Sequence, residues 1–277
     1  FGFNHMITGA IIDGDTIFID PTDVSFPPRY SITSSLTGQP IINVSEKEID
    51  SLDFLRKEAP TDHRIDRFIK LKYVDSTQFD VTSKTLSYNM QAGYRRSSLK
   101  QFTPGEFKSS LESSVSDSWG IRLVIDSVFT DPDYGVDTIF NERWYGRAFI
   151  NIQDISDIRI IRMPDLSYFE KAFISRLTDN GSRELPVDLR DYCSSYNIEV
   201  TVETPESYGA PEIGDDLELA DSLYSFKHYS EWNPESRRLI LHYKYEISDG
   251  LTEPWGFISF VQKVTEAFDK PIVFKAE

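Results

Sequence analysis

The chain has 277 residues, of which 39% are hydrophobic and 13% aromatic, so it can build a large core and is not a disordered chain. Its formal net charge of −16 comes from 45 acidic and 29 basic residues, and it argues against nucleic-acid binding because such a surface repels phosphates. No apolar run approaches the roughly 18 residues of a membrane-spanning helix, so we predict no membrane span. Cys193 is the single cysteine, which excludes an intrachain disulfide.

The first predicted segment, residues 1–45, opens on a β-hairpin. The runs MITGAII (6–12) and TIFID (16–20) are of β type, and Asp13-Gly14 between them is a strong signal for a two-residue hairpin turn. Residues 25–40, SFPPRYSITSSLTGQP, are rich in Pro, Ser, Thr and Gly and predict an ordered loop that leaves the sheet.

The second predicted segment, residues 46–181, is a β-rich domain with one amphipathic helix. Apolar and polar residues alternate over 66–75 and 78–89, as in half-buried antiparallel strands, and 121–129 and 143–152 predict further strands. Between them a helix is predicted from the capping residue Thr103 with Glu106 as its capping-box partner. Its apolar face consists of four residues at helical spacing: Phe107, Leu111, Val115 and Trp119.

The third predicted segment, residues 182–277, is an antiparallel β domain with a terminal helix. Strands are predicted over 198–205, 222–232, 237–247 and 271–277. The helix precedes Pro271, and Trp255, Ile258 and Phe268 lie at helical spacing along it. The fold class is therefore mainly β with a few helices (α+β), with antiparallel, β-sandwich-like sheets.

The hairpin places chemistry-bearing residues near its open end. With a two-residue turn, Ile12 lies opposite Asp15, and the continued register places His5 diagonal to Asp20 on one face, roughly 7–8 Å apart at the backbone. Asp20 can then accept a hydrogen bond from one imidazole nitrogen and leave the other as a base. A three-residue turn would make Asp23 the orienting carboxylate instead, and a purely structural hydrogen bond is the common alternative.

The stretch FNHMITGAIIDGDTIFIDPTD resembles the His-to-Asp half of the transglutaminase-like fold. Asn4-His5 matches the histidine motif of bacterial members, Asp20 the aspartate motif, and Thr22-Asp23 the tail after it, while residues 25–40 resemble the loop that leaves that domain. The order of elements through residue 277 is similar to exported bacterial proteins in which such a domain lies between two β-rich domains of unknown function. Residues 1–45 would then be a partial transglutaminase-like segment.

The resemblance implies a Cys-His-Asp cysteine protease or acyltransferase that acts on a peptide or protein in the periplasm or at the cell surface. His5 would be the base and Asp20 its orienting residue. The nucleophilic cysteine of the family lies before the histidine, whereas Cys193 follows it, so we predict that this chain is inactive by itself. A helix beginning with Cys in residues encoded before Phe1 would favour the enzyme.

The alternative is a non-enzymatic β-sandwich module that binds peptide, protein or glycan at a cell surface and keeps the His–Asp pair without catalysis. The aromatic residues near His228 and His242 are candidates for a binding groove, with core packing as the simpler interpretation. A serine hydrolase is disfavoured because no G-x-S-x-G elbow is present.

We predict no cofactor and no metal. His228 and His242 lie in predicted neighbouring strands, but two histidines without a third ligand do not make a zinc site. The acidic run PEIGDDLELAD (211–221) lacks the ordered ligand spacing of a cation site and is interpreted as solvated. His63 is interpreted as a solvated linker residue.

Overall fold

The computed structural model describes residues 6–22, 25–32, 36–44, 49–132, 137–164, 166 and 186–276. Within them the chain is mainly β with three α-helices, as the sequence predicts. The first four strands form two separate antiparallel hairpins, in which the first strand pairs with the second and the third with the fourth: β1 Thr8–Ile12, β2 Asp15–Ile19, β3 Pro40–Val44 and β4 Ile49–Phe54.

The largest sheet has eight strands. They are, in chain order, β5 Arg64–Asp75, β6 Gln78–Tyr88, β7 Arg122–Thr130, β8 Ile139–Phe149, β12 Ser194–Glu203, β14 Leu217–Ala220, β15 Tyr224–Asn233 and β16 Arg238–Ile247. Their spatial order is β14-β15-β16-β12-β5-β6-β8-β7. Side chains alternate along each strand between a covered face and an outer face, which is the alternation predicted for 66–75 and 78–89.

The centre of this sheet joins the second and third predicted segments. β5 and β12 are neighbours and run parallel, from Arg64 opposite Ser195 to Lys72 opposite Glu203, whereas every other neighbouring pair of the sheet is antiparallel. The predicted segments on either side of residue 182 therefore contribute neighbouring strands to one sheet.

A smaller sheet packs on the covered face of the large one. It has the order β13-β18-β10-β9 and contains β9 Ile152–Ile155, β10 Ile158–Ile161, β13 Tyr208–Glu212 and β18 Ile272–Ala276. The ring of Tyr208 lies 5.6 Å from that of Tyr73 in β5, and Phe274 lies 6.2 Å from Trp232 in β15. Two short strands, β11 Val187–Asp188 and β17 Leu251–Thr252, pair antiparallel and form a separate two-stranded sheet.

Three helices complete the described chain: α1 Met90–Leu99, α2 Pro104–Trp119 and α3 Pro254–Asp269. α2 forms as predicted, with Thr103 and Glu106 in a capping box and its four predicted apolar residues buried. α3 also forms as predicted, but Trp255 is 63% exposed, so its expected place on the buried face is wrong. The predicted Ile258 and Phe268 are buried, together with Phe257, Phe260 and Val264.

The loop after β2 docks on α1. The ring of Phe26 meets Tyr94 edge-to-face at 5.0 Å, and a Cβ on Gly93 would overlap the Phe26 ring. Ser25 is also buried, and its hydroxyl accepts a hydrogen bond of 2.8 Å from Lys100 Nζ. The loop that follows the hairpin is thus attached to α1 through Ser25 and Phe26.

Candidate functional site

The hairpin has the two-residue turn that favours Asp20 over Asp23. Asp13 and Gly14 have φ values of 53° and 88°, and positive φ at both central residues is what a type I′ turn requires. The strands pair from Ile12 opposite Asp15 to Thr8 opposite Ile19. The register of the three-residue turn is therefore not formed.

Asp20 follows the last residue of β2 and is held rigidly. Its backbone N–H donates to Ser31 Oγ at 2.9 Å, and the Ser31 hydroxyl in turn donates to the Pro28 carbonyl. Its Oδ1 accepts hydrogen bonds from Thr22 N at 3.0 Å and from Thr22 Oγ1 at 2.6 Å. Asp20 is only 4% exposed although the strands beside it are largely exposed. The carboxylate plane is therefore fixed by an Asx turn at the end of the strand.

His5 and Asp23 lie outside the described residues. The proposed contact between His5 and Asp20 therefore stays a prediction, which rests on the observed register continued beyond Thr8. Asp23 likewise stays an untested alternative as the orienting carboxylate.

Cys193 is not an activated thiol. It is 4% exposed and lies between a 3-10 turn, Arg190–Tyr192, and β12. Burial raises the pKa of this thiol to about 12, and a backbone hydrogen bond at Asp249 opposes it only in part; the carboxylates of Glu58, Asp249 and Asp62 each add a smaller increase. A nucleophilic cysteine needs the opposite environment, one that favours the thiolate.

A buried His–Glu pair lies where we predicted a solvated linker, so that interpretation of His63 is wrong. His63 Nε2 lies 2.6 Å from Glu58 Oε2, and both side chains are almost fully buried. Glu58 Oε1 also accepts a hydrogen bond of 3.3 Å from Thr37 Oγ1, and the Tyr94 ring stacks near His63. The signal in the sequence was Pro60, which begins the 3-10 turn Pro60–His63 and folds two side chains five residues apart onto each other.

His228 and His242 do not form a site. They lie on the paired strands β15 and β16, but His228 stacks on Tyr243 towards the core whereas His242 stacks on Tyr229 on the outer face. The pKa of His228 is lowered by burial. Among the described residues no group of three or more His, Cys, Asp or Glu side chains could hold a metal.

The predicted aromatic groove is core. Tyr224, Phe226, Tyr243 and Tyr245 are buried, and Tyr243 stacks on Phe268 of α3 at 4.1 Å. The simpler interpretation, core packing, is therefore the correct one for these four rings.

The outer face of the eight-stranded sheet carries an exposed aromatic and basic row. Phe68, Lys84, Arg143 and Phe129 lie opposite one another across β5, β6, β8 and β7. Lys84 Nζ lies 5.8 Å from the centre of the Phe68 ring, and Phe129 meets Tyr145 edge-to-face at 6.0 Å. This row places exposed rings beside cations on a chain with a net charge of −16.

No protein-family model matches this chain, and no curated protein matches it either. None of the described helices is both long and apolar enough to cross a membrane.

Proposed function

We propose that this chain provides the histidine and the aspartate of a transglutaminase-like Cys-His-Asp site, with His5 as the base and Asp20 as the residue that orients it. The observation that carries the proposal is the setting of Asp20, a buried carboxylate at the end of a strand in which no other residue is buried. An ionised group is costly to bury without a purpose-built set of partners. The Asp20 carboxylate has such partners in the N–H and the hydroxyl group of Thr22, while Ser31 Oγ accepts from the backbone N–H of Asp20.

The hairpin register supports the pairing with His5. If the observed two-residue register is continued from Thr8 towards the N-terminus, position 5 would lie opposite Thr22, on the same face as Asp20 and diagonal to it. A carboxylate in that position selects one imidazole tautomer and stabilises the imidazolium that forms when the histidine takes a proton from a thiol.

The nucleophile is not supplied by Cys193, because its burial and high pKa keep the thiol protonated. A cysteine outside these 277 residues would provide the thiolate that attacks an acyl group, and the substrate would be a peptide or protein amide. Periplasmic or cell-surface localisation belongs to the same proposal.

The apolar surface of the hairpin supports a larger domain. Met6 is 87% exposed, Ile11 79% and Ile12 50%. A two-stranded sheet is marginally stable in water by itself, and exposed apolar side chains of this size mark a surface that another segment or protein covers.

The test measures the titration and the tautomer of His5 by NMR of the imidazole nitrogens, which is practical because the chain has four histidines. We expect His5 to titrate at a higher pH in the native chain than in Asp20→Asn, because a neighbouring carboxylate favours the imidazolium. Asp15→Asn is the matched control, since Asp15 is an exposed carboxylate at the other end of the same strand.

An identical His5 titration in the native chain and in Asp20→Asn would rule out the pair. The catalytic part is tested in a gene product that carries this chain together with a cysteine before His5. There Asp20→Asn should lower kcat on the order of 10⁴-fold, as expected when the orienting carboxylate of a triad is lost.

A second candidate function, a surface-binding module, is favoured by the row of Phe68, Lys84, Arg143 and Phe129. Aromatic rings and arginine are the residues that dominate the energy of protein interfaces. Lys84 and Arg143 make no ion pair within the described part of the chain, so both are available to an anionic ligand. This function is preferred if His5 titrates independently of Asp20.

A further inference from the structure

A cleft lies beside the edge of β2 that faces away from β1. Its volume is about 370 Å³, which is within the usual size range for ligand sites. One wall is the β2 segment Asp15–Phe18, and the other walls come from the loop after β2, from the chain around Leu55 and from the start of α1. Side chains that line the cleft include Phe18, Arg29, Ile32, Leu55 and Met90.

The hairpin register shows which backbone groups of β2 face this cleft. In a two-residue hairpin the residues that flank the turn, Ile12 and Asp15, form a hydrogen-bonded pair, and such pairs recur at every second residue. Ile17 and Ile19 therefore bond to β1, whereas the N–H and C=O groups of Thr16, Phe18 and Asp20 point away from it.

Among the described residues, the free edge of β2 has a hydrogen-bond partner at one position. The N–H of Asp20 donates to Ser31 Oγ, which agrees with the direction derived from the register. The N–H groups of Thr16 and Phe18 have no hydrogen-bond partner within the described part of the chain. Two donors and two acceptors, two residues apart on one strand, match the backbone of an extended peptide.

The side chains around this edge indicate which side chains a bound peptide should carry. Phe18, Ile32, Leu55 and Met90 offer apolar contacts to one face of a bound strand. At the mouth of the cleft, the Arg29 guanidinium is held only by Asp15 among the described residues, in a 3.5 Å pair between two exposed side chains. An exposed pair of this kind contributes little, so a ligand carboxylate can replace Asp15 at small cost.

We propose that this cleft binds an extended peptide segment as an added strand on β2, with apolar side chains against Phe18 and Leu55 and an acidic side chain on Arg29. The proposal does not depend on the His5–Asp20 pair, because β2 offers its free edge whether or not the hairpin is catalytic. Backbone hydrogen bonds to Thr16 and Phe18 supply affinity, and the side-chain contacts supply selectivity.

The test uses a synthetic heptapeptide probe of alternating Val and Glu, acetylated and amidated at its ends, with hydrogen exchange of the chain followed by NMR. Bound peptide should slow the amide exchange of Thr16 and Phe18 by about tenfold or more at saturation. Ile17 should change much less, because its amide already bonds to β1.

Two control peptides separate the contribution of backbone hydrogen bonds to binding from the contribution of side-chain charge. A probe N-methylated at alternate residues on its edge facing β2 should not bind, since it lacks the donors for the strand edge. A Lys-for-Glu probe should bind about tenfold more weakly at this cleft, a difference of about 1.4 kcal/mol. The net charge of −16 favours the basic probe everywhere else, so a preference for the acidic probe identifies Arg29.

Two variants of the chain complete the test. Thr16→Pro removes one edge donor, and proline is tolerated on a free strand edge, so binding should be lost with the hairpin retained. Arg29→Ala should abolish the preference for the acidic probe without altering the hairpin. Unchanged binding of the N-methylated probe, or protection away from Thr16 and Phe18, would overturn the proposal. Protection of both amides that depends on protein concentration without peptide would assign the edge to a second copy of the chain and overturn it too.

Discussion

Two regions of the molecule differ in how much apolar surface they bury. One is the hairpin region, which comprises β1, β2 and the chain beside them up to Leu55; the other is the body, which comprises the eight-stranded and four-stranded sheets with α2 and α3. The body places a continuous cluster of buried apolar residues between its large sheet, α2, α3 and the small sheet. The hairpin region buries a few residues at its base, and Phe26, Ile32 and Leu55 lie outside that cluster. Candidate chemistry is concentrated in the hairpin region, which is the part with the least packing of its own.

This difference indicates that the body is the stable part of the chain, on which the hairpin region is held. Its continuous apolar cluster contains no hairpin residue, whereas the loop after the hairpin packs on α1 through Phe26 and Tyr94. Regions of few buried contacts open at low free-energy cost, and sites that must admit a ligand are drawn from them. The two regions should therefore respond separately to substitutions.

The largest expected effect is in the body. Phe79 in β6 is fully buried and packs edge-to-face on Tyr73, so Phe79→Ala should lower the free energy of unfolding by about 3–5 kcal/mol. Urea denaturation measures the loss. Phe129→Ala, on the exposed outer face of the same sheet, is the control and should stay within about 0.5 kcal/mol of the native chain. Equal losses in both variants would contradict the assignment of the two faces.

An intermediate effect is expected at the contact between the regions. Gly93→Ala adds a methyl group where the Phe26 ring lies, and overpacking of this kind costs about 1–3 kcal/mol. The strain is relieved when the loop of residues 25–32 lifts from α1, so we expect faster amide exchange there with little change in the urea midpoint of the body.

The outcome that would contradict this separation is a matching drop in stability of the body. Ala92, the neighbouring fully buried position on the same helix, offers a comparison through Ala92→Gly. That change weakens the helix by about 1 kcal/mol without adding a group against Phe26.

The sequence predicted most of the body because its signals are local. Alternation along β5 and β6 and the capping box of α2 arise within a few residues of each other, and each was sufficient to place its element. α1 was missed because its sequence, MQAGYRRSSL, has no regular apolar face, and only packing against β6, β8 and Phe26 explains it. The parallel pairing of β5 with β12 was missed because it joins residues more than 120 positions apart, for which the sequence has no local signal.

The candidate site was also predictable where its signals are local, and not where it depends on distant contacts. The turn and the position of Asp20 followed from Asp13-Gly14 and from strand alternation. The support of Asp20 by Ser31 could not be predicted, since it depends on how a Pro-rich loop folds back. His63 was misplaced for a related reason, because burial of a short polar turn is decided by what packs over it.

The smallest expected effect is at Asp66 in β5, whose side chain forms a hydrogen bond to the neighbouring parallel strand β12. Its carboxylate accepts hydrogen bonds from Arg64 and Tyr88 and, across the parallel pair, from Asn197. Burial alone would raise the pKa of Asp66, but the hydrogen bonds from these three partners outweigh it and lower the pKa. Since Arg64 is itself 42% exposed, solvent weakens that pair, and Asp66→Asn should cost about 1 kcal/mol at neutral pH.

The pH dependence has a definite sign. A folded-state pKa below the unfolded value means that Asp66 stabilises the native chain above the unfolded pKa and loses this effect as the pH falls through the folded pKa. The difference in urea midpoint between the native chain and Asp66→Asn should therefore shrink from pH 7 towards acid pH. Asp80→Asn, an exposed position on the outer face of β6, is the matched substitution outside this hydrogen-bond network. A difference that stays constant with pH would show that the ionised state of Asp66 does not stabilise the sheet, and that β5 and β12 are joined by backbone pairing and core packing alone.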